Sequence, residues 1–339
     1  MKLLAKLRID GFMLGILASV VIAAVLPARG EAAHVLDWAT KIAIGILFLL
    51  YGARLKPHEA LDGLRHWRLH SIVLAVTFLV FPLIGLALRI LVPSVLTDDL
   101  YTGVLYLCLL PSTVQSSIAF TSIAKGNVAG AVVSASLSNL IGVFVTPLLV
   151  MLLMNTTGQA TVSMSSIVAI VVQVLLPFLA GQLLRTRMQA LMKHATVTKT
   201  VDRGSVYLVV YTAFSDGMVE HIWRGISPLS LIAVVVVCST VLAFVLALTT
   251  TIGRMLHFNR GDRIVMIFCG SKKSLASGLP MATVLFAGHA VGLIVLPLMI
   301  FHQIQLYVCA WLSGRWGRQA EEAAAREAAG SEPVATEAS

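Results

Sequence analysis

Phe268-Cys269-Gly270-Ser271-Lys272-Lys273-Ser274 places two adjacent lysines in the middle of an apolar run spanning residues 262–286. A cation near the centre of a bilayer costs at least roughly 2.5–3.5 kcal/mol, so a charge at that depth is read first as functional. Ten helical residues span about 15 Å, which exceeds the reach of a lysine snorkelling to the surface. The apolar pattern then resumes from Ser274. An earlier run, 101–124, is interrupted in the same way by Leu110-Pro111-Ser112-Thr113-Val114-Gln115-Ser116-Ser117. Pro111 has no N–H to give a helix, and four hydroxyls and an amide follow it. In lipid such a break survives only where protein or a water-filled cavity satisfies the freed backbone groups.

The whole chain supports the membrane reading. Its 339 residues are 58% hydrophobic and 12% charged, with a mean hydropathy of +0.90. Soluble domains carry roughly 25% charged residues, so a water-soluble fold is excluded. A hydrocarbon core about 30 Å thick needs roughly 20 apolar residues per helix. Runs of that kind fall at 12–26, 38–55, 69–92, 101–124 and 128–154, then at 164–184, 202–218, 229–253, 262–286 and 290–313. The expected fold is therefore an all-α polytopic membrane protein of ten transmembrane helices. The seventh run is the weakest, because Asp202, Arg203 and Asp216 crowd its ends. The first also resembles a signal peptide, basic to Arg8 and followed by Ala28-Arg29-Gly30-Glu31-Ala32, but a first transmembrane helix is the simpler account.

Charge sets the expected orientation. With the N-terminus inside and ten crossings, 19 Lys and Arg lie on the cytoplasmic side against three outside, Arg29, Arg89 and Arg224. The positive-inside rule thus puts both termini in the cytoplasm and the 155–163 loop outside, in a multi-pass protein of the cell membrane. The net charge of +9 is explained by these loops and calls for no nucleic acid. Trp38, Trp67, Trp223 and Trp311 fall near run ends, as an interfacial belt requires. Beyond Arg315 the tail, 315–339, is expected to begin as a short charged helix and then to be disordered.

All sixteen Asp and Glu lie in loops, at run ends or in the tail. That argues against a carboxylate proton relay, a paired-aspartate intramembrane protease and a carboxylate-lined cation pore. Cys108, Cys238, Cys269 and Cys309 sit in apolar runs without metal spacing, and there is no nucleophile elbow or zinc motif. The chain is not expected to be an enzyme, and no cofactor is expected beyond a coupling Na+ or H+.

The interrupted runs are the fourth of the first five and the fourth of the second five. Five is odd, so two such halves, 1–154 and 155–314, must enter the membrane in opposite senses. Broken helices at matching positions of inverted halves point to a midplane transport site. The residues expected to build it are Ser112, Thr113, Gln115, Ser116 and Ser117 with Ser271, Lys272, Lys273 and Ser274. Asn139 follows the first break, in a run that also holds Ser134, Ser136 and Ser138; His302, Gln303 and Gln305 follow the second. Close helix packing is the plainer account of half the small residues in 130–138.

These stretches, with Phe48-Leu49-Leu50-Tyr51-Gly52-Ala53-Arg54-Leu55, resemble the bile acid:sodium symporter superfamily, and more closely its SBF-like branch, related to cation–proton antiporters. The likeness covers residues 12–311. It implies two inverted five-helix repeats, a panel of spans one, two, six and seven moving against the other six, and broken spans four and nine that cross. It also implies sodium-driven uptake of organic anions. Typical members carry a Glu and a Gln-Asn pair around a ninth-span Gly as sodium ligands. Here Gly270 matches, but Phe268 or Cys269 takes the acid position and Lys272 and Lys273 replace the amides. Sodium wants oxygen ligands and is repelled by an ammonium, so sodium coupling is in question. A sodium site, where one is used, is expected near Ser116, Ser117 and Asn139.

The leading expectation is thus a secondary active transporter that carries a small organic anion by symport, with the bilayer and that solute as partners. A non-transporting regulator of ion homeostasis, acting through the basic loop 185–203, is an alternative. A cation/proton antiporter is another, disfavoured by the missing carboxylates. Substrate and oligomeric state are not set by the sequence.

Overall fold

The computed structural model describes residues 11–54, 66–156, 168–169, 171–188, 195–219, 227–287 and 290–330. Among these residues the regular structure is helical throughout, with no strand. The chain runs through α1 (Gly11–Val25), α2 (Glu31–Arg54) and α3 (Trp67–Leu91). Next come α4 (Asp98–Leu109), α5 (Val114–Ile123) and α6 (Val128–Thr156). The later elements are α7 (Val171–Leu183), α8 (Ala195–Val219) and α9 (Pro228–Met255). Then α10 (Arg260–Gly270), α11 (Leu275–Leu285) and α12 (Val291–Gly330) complete the fold.

Five of these helices are long and apolar enough to cross a membrane, and α4 with α5, bent by 63° at the break, makes a sixth. Their outward faces are greasy: Leu229, Ile232 and Val236 of α9 are 74%, 59% and 56% exposed. Water would penalise that surface, and a lipid belt requires it. The molecule is a multi-pass membrane protein.

The ends of the helices follow local chemistry. Thr97, Ser227, Asn259 and Ser274 cap α4, α9, α10 and α11, each side-chain oxygen accepting an N–H of the first turn. In α3 the turn Val76–Val80 is widened to π geometry immediately before Phe81-Pro82, and α7 does the same over Val171–Leu175 before Leu176-Pro177. A proline that cannot donate is accommodated by such a local expansion.

Two elements differ from the sequence expectation. α8 begins at Ala195 rather than near 202, carrying Lys199, Asp202 and Arg203 inside the helix. Arg54 of α2 meets Asp202 there, so the helix tolerates the charge. α12 continues through the charged segment to Gly330, further than the short helix expected. Arg260 holds that extension by donating to Trp316 O, and Trp316 packs on Phe268. Residues 331–339, and the expectation of disorder there, lie outside the described residues, as does the 155–163 loop apart from its first two residues.

α1, α2, α7 and α8 pack on one another, α1 on α8 and α2 on α7 and α8. α4 lies between α3 and α12, α10 among α3, α5, α6 and α9, and α11 against α12. The two groups meet where α8 packs on α11 and α12.

Candidate functional site

The two breaks face each other and satisfy each other's backbone. At the end of α4 the carbonyl of Cys108 accepts from Lys273 Nζ at 3.0 Å, and that of Leu110 from the same nitrogen at 2.7 Å. Leu109 O accepts from Thr146 Oγ1, Pro111 O from the Ser274 N–H and Ser112 O from Asn139 Nδ2. The Ser112 N–H donates to Ser138 Oγ. From the other side, Lys273 O accepts from Thr113 Oγ1 and Gln305 Nε2, while Gln305 Oε1 takes the Lys273 N–H. Ser117 Oγ donates to Phe268 O. A broken helix leaves up to four carbonyls unpaired, and here side chains of α5, α6 and α12 and the facing break take them up.

A cavity of about 410 Å³ opens beside this crossing. On one side it is lined by Thr113, Gln115, Ser116, Asn139, Ser274, Ser277 and His302. On the other stand Phe12, Tyr51, Arg54, Phe178, Lys199, Asp202, Arg203 and Val206, from α1, α2, α7 and α8. The helix contributions follow helical spacing: 199, 202, 203 and 206 on α8, and 136, 139, 140 and 143 on α6. Arg54 Nη1 donates to Asp202 Oδ2 at 2.5 Å, and its Nη2 to Thr198 O. Three cations against one carboxylate leave the lining positive, in a volume suited to a small molecule.

The residues singled out in the sequence divide by position. Thr113, Gln115, Ser116, Asn139, Ser274 and His302 border the cavity. Ser112 and Ser117 are buried in the crossing, and Ser271 Oγ turns back to Ile267 O of its own helix. Lys272 and Lys273 are both 0% exposed and border no part of the cavity. Lys272 Nζ donates to Ser116 Oγ at 3.1 Å and lies over the rings of Phe120 and Phe268, so a single hydroxyl separates it from the cavity. Gln303 stays outside the lining, its Oε1 buried and without a hydrogen-bond partner among the described residues.

Sequence reasoning missed Arg54, Lys199, Asp202, Arg203 and Ser277. For the three on α8 the signal was present as the 199/202/203/206 stripe, but charges near a run end read more simply as loop charges.

Over residues 10–318 the chain matches the model of the SBF-like CPA transporter family. It is 51% identical over 317 residues to an uncharacterized protein of Pseudomonas aeruginosa, covering 93% of this chain and 95% of that one. It is 46% identical over 321 residues to YfeH of Escherichia coli, which carries a provisional symporter name, covering 94% and 96% of the two chains. It is also 27% identical over 334 residues to the sodium/bile acid cotransporter 7 of Danio rerio, covering 93% and 98%.

Proposed function

Because the chain belongs to the SBF-like CPA transporter family, we propose that it carries a small organic anion by symport through the cavity beside the crossed breaks. It is a transporter of the bile acid:sodium symporter type and not an enzyme. The observation that carries the choice of solute is the lining itself. Arg54, Lys199 and Arg203 stand with one carboxylate, Asp202, on one side of the cavity, opposite a wall of hydroxyls and amides. An acid group is the solute feature such a lining would hold, with the apolar side chains of Phe12, Leu140, Val143, Phe178 and Leu306 for its body.

In this reading α4 with α5, and α10 with α11, each form one crossing, so the chain crosses ten times as two inverted halves, 1–154 and 155–314. α1, α2, α7 and α8 then rock against the remaining helices and expose the cavity to each side in turn. The charge bias puts Arg54 and Lys199, and with them that side of the cavity, toward the cytoplasm.

The coupling ion is read as a proton. Lys272 Nζ lies 3.1 Å from Ser116 Oγ, where a sodium ion would otherwise find oxygen. Two unit charges roughly 5 Å apart repel by about 3 kcal/mol at an effective dielectric near 20.

The test is uptake of labelled carboxylate and sulfate-bearing solutes into proteoliposomes, under a proton gradient and under a sodium gradient separately. Anion accumulation driven by the proton gradient is expected. Accumulation that follows sodium alone would replace the coupling ion, and cation flux without anion flux would sink the reading.

A further inference from the structure

Lys273 Nζ lies within hydrogen-bond distance of three backbone carbonyls, Leu110 O at 2.7 Å, Cys108 O at 3.0 Å and Thr77 O at 3.0 Å. Each carbonyl is free for a reason written in the backbone. The π-turn gives the Phe81 N–H to Val76 O, and Pro82 has no N–H, so the usual α- and π-register donors for Thr77 O are gone. Cys108 O would pair with the Ser112 N–H in an uninterrupted helix, but that N–H goes to Ser138 Oγ. Leu110 O lies beyond the end of α4. The ring of Phe81, 3.9 Å from Nζ, closes another side.

Three oxygens, a ring face and the negative end of the α4 dipole make a site for a cation. An ammonium brings three hydrogens, one for each carbonyl. A neutral amine brings two and would turn a lone pair toward an oxygen. The side chain is 0% exposed, so bulk water does not reach it.

We propose that the carbonyls of Thr77, Cys108 and Leu110 form a monovalent-cation site that the chain fills permanently with its own Lys273 ammonium. The tethered cation joins the π-turn of α3 to the broken end of α4 and to the facing break. No inorganic ion is needed there for the crossing to hold together. This inference concerns the buried site alone and stands apart from which solute the cavity carries.

Emptying the site should make the protein depend on a cation that wild type ignores. The purified wild type and Lys273→Ala are melted in detergent in choline, sodium, potassium, ammonium and n-propylammonium chlorides at equal ionic strength. Wild type is expected to melt alike in all five. Lys273→Ala is expected to melt several degrees lower in choline and to recover most in n-propylammonium, which replaces the removed carbons and the three donors. Ammonium and potassium, similar to each other in size, should recover less.

Lys273→Met supplies the second arm, because it keeps most of the volume without the charge. It is expected to melt below wild type in every salt, with no recovery, since its own methyl group occupies the site. The proposal is overturned if Lys273→Met melts like wild type, or if Lys273→Ala melts alike in all five salts. It is overturned as well if wild type gains as much from n-propylammonium over choline as Lys273→Ala does, since the lysine would then not be filling the site; a sodium gain shared by wild type and variant belongs to a site elsewhere.

Discussion

Asp202 and Arg54 set the balance of charge in the cavity. Their side chains are 15% and 31% exposed and meet at 2.5 Å, while the second carboxylate oxygen, Oδ1, is buried without a hydrogen-bond partner among the described residues. On the proposed reading, Arg54 would divide its charge between Asp202 and an anion in the cavity. Asp202→Asn should free the guanidinium and lower the KM for anion uptake. Arg54→Gln should raise it by about tenfold to a hundredfold, the loss of one hydrogen bond to a charged group, roughly 1.5–3 kcal/mol. Initial rates in proteoliposomes give both values; movement of the two variants in the same direction would mean that the pair acts only as a structural tie. Gln305 offers a second residue-scale prediction. Its amide both donates to and accepts from the Lys273 backbone, as a paired peptide would. Gln305→Leu leaves the Lys273 N–H unpaired, at about 1–3 kcal/mol, while the Lys273 carbonyl keeps the Thr113 hydroxyl, and thermal melting should fall accordingly.

Helices α2 and α7 approach closely enough that neither tolerates a side chain at the contact. A Cβ on Gly52 would run into Phe178 O, and one on Gly181 into Leu49 O. The absence of side chains lets the two backbones pack, which replaces the hydrophobic drive that lipid cannot supply. Gly52→Ala or Gly181→Ala should each cost roughly 1–3 kcal/mol by overpacking. Because both clashes belong to one crossing, the double variant should cost less than the sum of the singles. Thermal melting of the three variants checks this, and strict additivity would mean that the two glycines report on separate contacts.

At the scale of the molecule, the positive-inside count predicts which loops face the cytoplasm. Ser94 follows the third run and His257 the eighth, and both are exposed. A membrane-impermeant maleimide should label Ser94→Cys in intact cells and His257→Cys only after permeabilisation. The four native cysteines are buried and give a low background. Labelling of both positions from outside would break the ten-crossing map, and with it the inverted relation of the two halves.

The sequence by itself determined the solvent and the places where helices fail. Composition decides between water and lipid because apolar surface must face a matching medium, and Pro111 and the Lys272–Lys273 pair disturb an apolar helix wherever the chain goes. These are local facts, so the breaks at 111–113 and 271–274 were legible residue by residue. Only the tertiary structure decided what the breaks hold. Lys272 and Lys273 are neighbours in sequence, yet one meets Ser116 and two rings while the other is enclosed by carbonyls of α3 and α4. The backbone turns between helices there, so adjacent side chains leave in different directions. The cavity's cations were equally hidden. Arg54 and Asp202 are 148 residues apart, and their meeting depends on how α2 packs on α8, which no local pattern records. A charge near the end of an apolar run looks the same in one dimension whether it faces water or a binding cavity. Packing of the neighbouring helices makes that distinction, by removing water from one face and leaving the ion pair to satisfy the charge.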